Sequence, residues 1–352
     1  WEENVRKVVP YVAGEQPNRP NMIKLNTNEN PYPPAPGVLA AMKKLEGHVD
    51  SLRLYPDPTS DTLVSALADF YHVGKDQVFV GVGSDDVLSM CFLTFFNSEK
   101  PVFFPDITYS FYKVWADLYR IPYECKKVDE NFHIIKEDYY PENGGVIFPN
   151  PNAPTSIYED LEFVEDIIRH NQDVIVIVDE AYIDFAGESA LSLLDKYDNL
   201  IITQTFSKAR SMAGMRIGYA IASPLLIKYL NDAKYSFNSY TMNKTSLVYG
   251  AEAVKDKEYF AETTRKIVET RDWAEEEFKK LGFVFPKPSA NFIFVSHPEY
   301  DAKELFEAMK AKGIYVRFWG SERIEQYLRV TIGTREEMEA LFAFLREYMM
   351  KC

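Results

Sequence analysis

The chain has 352 residues, 46% of them hydrophobic, and a formal net charge of −14 at pH 7. Because that length exceeds what a single hydrophobic core usually serves, we expect a larger and a smaller domain. No local block of Lys and Arg offsets the negative charge, so we expect no nucleic-acid partner, since phosphate binding needs a basic surface.

The cysteines and the first residues indicate the compartment. Cys91, Cys125 and Cys352 are odd in number, widely spaced and without a C-x-x-C pair. We therefore expect reduced thiols, with neither a disulfide framework nor a metal site. The chain has Glu2 and Glu3 where a signal peptide needs a basic start, and no stretch approaches the roughly 20 apolar residues of a membrane span. These features predict a cytoplasmic protein without a membrane partner.

The first 37 residues carry many prolines and little periodicity, which is typical of an extended segment. We expect residues 1–48 to form an N-terminal arm that lies on other parts of the chain and completes the smaller domain. A plain linker fits the same composition equally well.

A glycine turn follows the first predicted helix. That helix starts near Thr59, and a strand at 77–82 then leads into Gly83 and a second helix from Ser84. The turn could present backbone N–H groups to an anion. It lacks the G-x-G-x-x-G dinucleotide fingerprint, so an ordinary tight turn is the alternative.

Strands and helices then alternate up to residue 222. Strands are predicted at 102–104, 121–125, 146–148, 174–178 and 219–222, with helices at 109–119 and around 161–168. The run 174–178 is apolar at every position, as in a central strand of a parallel sheet covered by helices. The sequence therefore predicts an α/β large domain at 49–250 with a mostly parallel central sheet. Ligands bind outside the carboxyl ends of such strands.

Beyond residue 250 the pattern changes to α+β. A long charged helix at 259–281 precedes strands at 291–295, 315–318 and 328–332, and a last helix starts at a Thr334–Glu337 capping box. We expect residues 251–352 to form the smaller domain.

Lys208 is the centre of the candidate site. It follows the apolar run 200–203, with Thr205 and Ser207 before it and Arg216 after it. A partly desolvated amine can attack an aldehyde and later carry a proton. Two hydroxyls and a guanidinium suit the phosphate of such an aldehyde cofactor. Considered alone, Lys208 is more often a solvated loop lysine.

Three further residues fit the same chemistry. Asp179 ends the buried strand 174–178 and needs a cationic partner, which a pyridinium N–H would provide. Tyr182 could donate to a ring oxygen, and Tyr109 could lie on the ring face. The alternatives are a strand-end salt bridge for Asp179 and ordinary core packing for the two tyrosines.

Together these residues resemble the fold-type I aminotransferases that use pyridoxal 5′-phosphate. The stretches that carry the resemblance are DEAYIDF at 179–185, TFSKA at 205–209 and AGMRIGY at 213–219. Within that superfamily the chain is most similar to the histidinol-phosphate aminotransferase family, through LNTNENPYP at 25–33, RLYPD at 53–57, GSDD at 83–86 and LRVTIGT at 328–334. The resemblance implies a fold-type I transferase with a large α/β domain and a smaller α+β domain.

The resemblance also implies which residues hold the cofactor. Lys208 would form a Schiff base with pyridoxal 5′-phosphate, Asp179 would bind the pyridine nitrogen and Tyr182 the ring oxygen. Tyr109 would stack on the ring. The cofactor phosphate would be bound by Ser84, Asp85, Thr205, Ser207, Arg216 and, from a neighbouring subunit, Tyr55.

The implied substrate residues are Arg329, Arg317, Tyr11 and Asn30. Arg329 would grip the carboxylate of the amino donor, and Arg317 would help to bind a substrate phosphate. Tyr11 and Asn30 would line the same pocket. The role of Tyr55 implies a homodimer with shared active sites.

The chain departs from the family at the ring oxygen. Where the family usually reads Asn-Asn-Pro-Thr-Gly, residues 152–156 read NAPTS, so Ala153 replaces the amide that normally bonds this oxygen. Either Asn152 substitutes for it or Tyr182 carries the bond alone. Losing a hydrogen bond to a charged ring costs roughly 1.5–3 kcal/mol if nothing compensates. Trp319, between the substrate arginines, adds aromatic bulk that could favour an aromatic side chain over a phosphate.

The implied reaction exchanges an amino group between L-histidinol phosphate and 2-oxoglutarate in histidine biosynthesis. An aromatic amino-acid aminotransferase or a threonine-phosphate decarboxylase would share nearly every motif. A cofactor-binding protein without activity is a remote alternative.

Overall fold

The computed structural model describes residues 1–350, and it orders the chain into helices joined to three β-sheets. The α-helices are α1 Pro36–Glu46, α2 Asp61–Tyr71, α3 Ser84–Phe95, α4 Phe111–Tyr119, α5 Leu161–His170, α6 Pro224–Phe237, α7 Lys244–Lys255, α8 Lys257–Lys280, α9 Ala302–Ala311 and α10 Arg335–Met349. The strands are β1 Ile23–Lys24, β2 Val78–Gly81, β3 Val102–Pro105, β4 Tyr123–Lys126, β5 Gly145–Pro149, β6 Val176–Asp179, β7 Leu200–Thr205, β8 Gly218–Ala222, β9 Phe292–Val295, β10 Ile314–Tyr315, β11 Arg317–Phe318 and β12 Leu328–Thr331.

The central sheet has seven strands in the order β2-β8-β7-β6-β5-β3-β4. Strand β8 runs antiparallel to both of its neighbours, and the pairs from β7 to β4 are parallel. In β6, Val176 and Val178 belong to one hydrophobic core and Ile177 to another. Successive side chains of a strand point to opposite faces of the sheet, so β6 contributes to a hydrophobic core on each face, and both faces of the sheet are covered. The predicted α/β class with a mostly parallel sheet is confirmed.

The smaller sheet positions the substrate residues. Strands β11, β12 and β9 pair antiparallel, and β1 pairs with β10 in parallel. The single strand predicted at 315–318 is wrong, because the chain switches sheets at Val316. As a result Arg317 of β11 lies directly opposite Arg329 of β12.

The predicted domain limits at 48/49 and 250/251 stay a prediction. Strand β1 joins β10, as expected for an arm that completes the smaller domain. Helix α1, in contrast, packs against α7, and its Val38 lies in the same core as Leu63 of α2. The predicted capping box of α10 is confirmed, because Thr334 accepts from the Glu337 N–H and the Glu337 carboxylate accepts from the Thr334 N–H.

Within residues 1–350, no helix has both the length and the apolar character that crossing a bilayer requires. Of the cysteines, Cys91 is buried and Cys125 is exposed, while Cys352 lies outside the described residues.

Candidate active site

Most of the predicted cofactor residues meet where strands of the central sheet end. Helix α3 begins just after β2, Asp179 is the last residue of β6, and Lys208 follows β7 within three residues. These ends enclose a cavity of about 250 Å³. Its lining includes Ser84, Asp85, Tyr109, Asp179, Tyr182, Thr205, Ser207, Lys208 and Arg216.

One end of this cavity is suited to an anion. Gly83, the residue before helix α3, has φ 84° and offers no side-chain cap, so the positive end of the helix stays available. A Cβ at Gly83 would lie 2.4 Å from Nη2 of Arg216, so the guanidinium and this turn can approach only with glycine there. Thr205 and Ser207 complete the wall, with the Ser207 N–H donating to Thr205 Oγ1 at 3.1 Å.

Asp85 is a carboxylate within this anion site. Arg216 Nη2 donates to its Oδ2 at 3.2 Å, and the Tyr109 hydroxyl donates to its Oδ1 at 2.6 Å. Burial and the neighbouring Asp85 charge raise the pKa of Tyr109, so Tyr109 stays a donor at neutral pH. Asp85 thus orients both the guanidinium and the aromatic ring of the cavity.

Asp179 lines the same cavity and is 4% exposed. Burial raises its pKa to about 6, while a hydrogen bond from the Tyr112 hydroxyl to Oδ2 at 2.7 Å opposes that shift. Its Oδ1 accepts from the Ala181 N–H at 3.3 Å and from the Thr203 hydroxyl at 3.4 Å. A carboxylate held this way in a low-dielectric site attracts a cation.

Lys208 lies at the junction of two cavities. Its Nζ donates to the Thr27 carbonyl at 3.0 Å and lies 5.7 Å from the ring centre of Tyr182. Lys208, Tyr182 and Tyr109 line both the smaller cavity and an adjoining one of about 530 Å³. An amine at this position can contact ligands in either cavity.

The larger cavity carries two guanidinium groups. Arg317 and Arg329 each lie 5.2 Å from the ring centre of Trp319. Arg329 Nη2 donates to the Asn26 carbonyl at 2.9 Å, whereas its buried Nε has no hydrogen-bond partner among residues 1–350. A buried unpaired donor on a cation is costly unless a ligand satisfies it. The cavity is therefore suited to an anionic group of a substrate.

A loop of the smaller sheet region reaches over this cavity onto the central sheet. Arg323, which lines the cavity, donates from Nη1 to Asp106 Oδ2 at 2.9 Å and from Nη2 to the Val128 carbonyl at 2.8 Å. These bonds hold the loop after β11 against the ends of β3 and β4. The loop therefore forms one wall of the cavity.

Of the remaining predicted residues, Tyr11 lines the larger cavity, where it stacks on Phe111 at 4.2 Å. Burial raises its pKa despite the nearby arginines. Tyr55 does not join the site of its own chain: it is 80% exposed and stacks on Tyr240 at 4.6 Å.

Asn30 and Asn152 are not among the residues that line the two cavities, and their roles stay predictions. Asn30 donates to the Ala209 carbonyl at 3.1 Å, which braces the loop that carries Lys208. Asn152 donates to the Ile107 carbonyl at 2.9 Å and accepts from the Thr108 hydroxyl at 2.9 Å. Because the Asn152 amide bonds the loop at Ile107 and Thr108 and Asn152 lines neither cavity, the geometry favours the alternative in which Tyr182 carries the bond to the ring oxygen.

Sequence reasoning missed Tyr112, Thr27 and Asn28. Tyr112 lies three residues after Tyr109, on the first turn of α4, and its spacing fits core packing equally well. Thr27 acts through its backbone carbonyl, and Asn28 reaches Tyr182 across 154 residues of sequence. The one sequence signal for Thr27 and Asn28 was that they lie in the polar stretch 26–30.

The site fits pyridoxal 5′-phosphate by the chemistry of its donors. A helix N-terminus with Arg216, Thr205 and Ser207 suits the phosphate, and Asp179 suits the protonated ring nitrogen. Tyr182 suits the ring oxygen, and Lys208, which lines the same cavity, suits the aldehyde. Among the 350 residues described, no group of three or more His, Cys, Asp or Glu is placed to hold a metal ion.

Comparison with known proteins agrees with this geometry. The family model for aminotransferase class I and II matches residues 20–345. The histidinol-phosphate aminotransferase of Clostridium botulinum strain Okra is 47% identical over 100% of this chain and 99% of its own length. That of Lactococcus lactis subsp. cremoris is 48% identical over 99% of this chain and 98% of its own.

Among solved structures, the histidinol-phosphate aminotransferase of Sinorhizobium meliloti in complex with pyridoxal-5′-phosphate is similar with a TM-score of 0.82. The match covers 93% of this chain and 92% of that one at 23% identity, so it supports the fold alone.

Proposed function

Because the chain belongs to the class I and II aminotransferase family, it is a pyridoxal-phosphate-dependent aminotransferase, and we propose that it transfers the amino group of L-histidinol phosphate to 2-oxoglutarate. This places it in histidine biosynthesis. The proposal takes its substrate from relatives that match the whole chain at 47–48% identity.

The observation that carries the choice of substrate is the pair of arginines in one cavity. Arg317 and Arg329 lie opposite each other on β11 and β12, and both face Trp319. A phosphate dianion offers three oxygens and up to two charges, enough for both guanidiniums. The single α-carboxylate of phenylalanine or tyrosine would leave one of them without a partner.

Pyridoxal 5′-phosphate, when bound, supplies an aldehyde carbon that accepts the amino group and a ring that stores the electron pair released at Cα. Lys208 can take the Cα proton on Nζ and return it, because Nζ lies where the two cavities meet. Thr27 holds that amine through its carbonyl. Asp179 holds the ring nitrogen in its protonated form, while Ser84, Thr205, Ser207 and Arg216 hold the phosphate.

Arg329 serves both half-reactions in this proposal. It would bind the phosphate of histidinol phosphate in one and the α-carboxylate of glutamate or 2-oxoglutarate in the other. Arg317 would contribute mainly to the phosphate. The loop held by Arg323 lines the same cavity as Lys208.

The test is a panel of amino donors compared by kcat/KM: histidinol phosphate, phenylalanine, tyrosine and threonine phosphate. We expect histidinol phosphate to give the highest value with 2-oxoglutarate as acceptor. A tenfold preference for phenylalanine, about 1.4 kcal/mol, would contradict the substrate proposal and favour an aromatic aminotransferase. Release of CO₂ from threonine phosphate would identify a decarboxylase.

A homodimer with shared sites forms part of the proposal. The segment around Tyr55 leaves Leu54 and Tyr55 exposed beside Tyr240, and Phe237 is 70% exposed at the end of α6. Such apolar patches are usual for surfaces covered by another chain. A second copy would cover them and would place Tyr55 at its neighbour's anion site.

Mixed dimers test this arrangement. A dimer of one Tyr55→Ala chain and one Lys208→Ala chain should regain activity over either parent, because one site would then have both residues. Sedimentation at the 40.6 kDa of a single chain would contradict the proposed assembly. The cytoplasm remains the proposed compartment on the sequence argument, and cell fractionation tests it.

A further inference from the structure

We propose that Asn28 is a positioning residue that fixes the direction of hydrogen bonding at Tyr182, so that the Tyr182 proton is left for the ring oxygen of the cofactor. The inference rests on the proposed cofactor site and goes beyond it, because Asn28 itself lines the cavity of the substrate and acts through Tyr182. The Nδ2 atom of Asn28 lies 2.9 Å from the Tyr182 hydroxyl. Asn28 is 1% exposed and Tyr182 is 8% exposed.

The surroundings of Asn28 decide which end of its amide faces Tyr182. The Asn28 N–H donates to Thr331 Oγ1 at 3.0 Å, so the Thr331 hydroxyl must direct its own hydrogen elsewhere. That hydrogen goes to Asn28 Oδ1, also at 3.0 Å. The other end of the amide is therefore the NH₂ group, and it can only donate to Tyr182.

A hydroxyl oxygen that accepts this bond keeps its hydrogen for another acceptor. Ala153, which lines the smaller cavity with Tyr182, has no side-chain donor. The Asn152 amide is hydrogen-bonded to the Ile107 carbonyl and the Thr108 hydroxyl. Tyr182 is thus left as the donor toward the ring oxygen. With the Asn28 NH₂ donating to the Tyr182 oxygen, the Tyr182 hydrogen points to the ring oxygen, and both polar groups have a partner.

The support of Asn28 comes entirely from the smaller-sheet region. Asn291 donates to the Asn28 carbonyl at 3.0 Å, and Asn28 has φ 59°, a conformation that Asn adopts more readily than most residues. Thr331 lies two residues from Arg329 on β12, and Arg329 donates to the Asn26 carbonyl. The strand that carries the substrate arginine therefore also holds the residue that orients Tyr182.

The test is a double-mutant cycle on the holoenzyme without substrate, read as the midpoint of its absorbance titration against pH. A hydrogen donated to the ring oxygen competes with the proton on the Lys208 nitrogen for that oxygen. Tyr182→Phe should raise the midpoint by about one to two units, since it removes a hydrogen bond to a charged group. Asn28→Asp keeps the shape but replaces the NH₂ donor by an acceptor, so it should raise the midpoint by about one unit.

The cycle separates the effect on Tyr182 from the added charge. In the Tyr182→Phe background residue 28 has no hydroxyl to orient. Asn28→Asp should therefore raise the titration midpoint there by less than about 0.3 units. Asn28→Gly tolerates the same φ and adds no charge, and it should raise the midpoint by a smaller amount. Near-native thermal unfolding of each variant controls for folding.

Equal shifts by Asn28→Asp in both backgrounds, or no shift in the native background, would overturn the role of Asn28. A Tyr182→Phe titration identical to that of the unmodified enzyme would overturn both the assignment of Tyr182 and that role. Neither result bears on the choice of amino donor, because no substrate is present. Failure of the donor panel would likewise leave the titration prediction standing.

Discussion

The cofactor half of the active site and its substrate half are assembled differently. The cofactor half comes from the ends of β2, β6 and β7 in one sheet, close in sequence to their strands. The substrate half joins positions as distant as Asn26 and Arg329, which are 303 residues apart and linked by a hydrogen bond. The first half is built on rigid, doubly covered strands, and the second depends on how the N-terminal arm lies on β12.

The difference teaches where a substitution should act. A change in the cofactor half should alter cofactor binding or proton transfer for every substrate. A change in the substrate half should discriminate between substrates and leave the bound cofactor unaltered. The predictions below separate the two halves, beginning with the largest effect.

Lys208→Ala should abolish transfer for every donor, by about a thousandfold or more, because the variant lacks the group that moves the Cα proton. The loss is measured as kcat in steady-state assays. Lys196→Ala is the control, since Lys196 is exposed and its side chain pairs with Glu165 at 3.3 Å. A Lys208→Ala enzyme that still turned over at near-native rate would remove the central residue of the cofactor half.

Arg317→Ala should lower kcat/KM for histidinol phosphate by about 10- to 150-fold, the effect of losing one charged hydrogen-bond partner. The same variant should leave kcat/KM for glutamate nearly unchanged. Arg329→Ala should lower both values, because Arg329 serves both half-reactions. If Arg317→Ala lowered kcat/KM for histidinol phosphate and for glutamate equally, the separate roles proposed for Arg317 and Arg329 would be wrong.

Tyr112→Phe should weaken cofactor binding by about tenfold, because Asp179 loses the hydroxyl donor that stabilises its charged form. The measurement is the dissociation constant of pyridoxal 5′-phosphate from equilibrium dialysis. Tyr139→Phe is a matched control, since Tyr139 is buried and its hydroxyl has no partner within the described chain. Indistinguishable constants for the two variants would show that Tyr112 only fills space.

Cofactor binding should also weaken in mild acid. Burial raises the pKa of Asp179 to about 6, so its negative charge is lost as the pH falls through that value. Binding at pH 5.5 should then be about fourfold weaker than at pH 7, as follows from the fraction ionised. Asp179→Asn should bind weakly at both pH values and lack this part of the pH dependence. The cofactor phosphate titrates in both proteins, so the comparison isolates Asp179.

Much of the fold and of the cofactor half was predictable from sequence. The apolar run that ends at Asp179 and the polar residues after β7 mark strand ends, and strand ends of a parallel sheet meet at one edge. The break at Val316 was not predictable, because residues 314–318 have the length and residue types of one strand and the partner strand of each half lies far away in the sequence. The roles of Asn28 and Thr27 also could not be read, since both depend on where an arm without periodicity lies.

The contacts of Asn152 and Asn30 could not be predicted from sequence either. Their residue types and positions suited a ligand site, but the Asn152 amide donates to the Ile107 carbonyl and the Asn30 amide to the Ala209 carbonyl. Short polar side chains bond to neighbouring backbone as readily as to ligands. Sequence pattern does not distinguish these outcomes.

The central claim is that Lys208 is the amine that binds the cofactor aldehyde, and peptide mapping after borohydride reduction of the holoenzyme tests it most directly. Reduction makes a bond between a lysine nitrogen and the cofactor carbon permanent. The account predicts one modified peptide, with the cofactor mass on Lys208. A modification on any other lysine, or an unmodified Lys208 peptide from fully loaded enzyme, would contradict it.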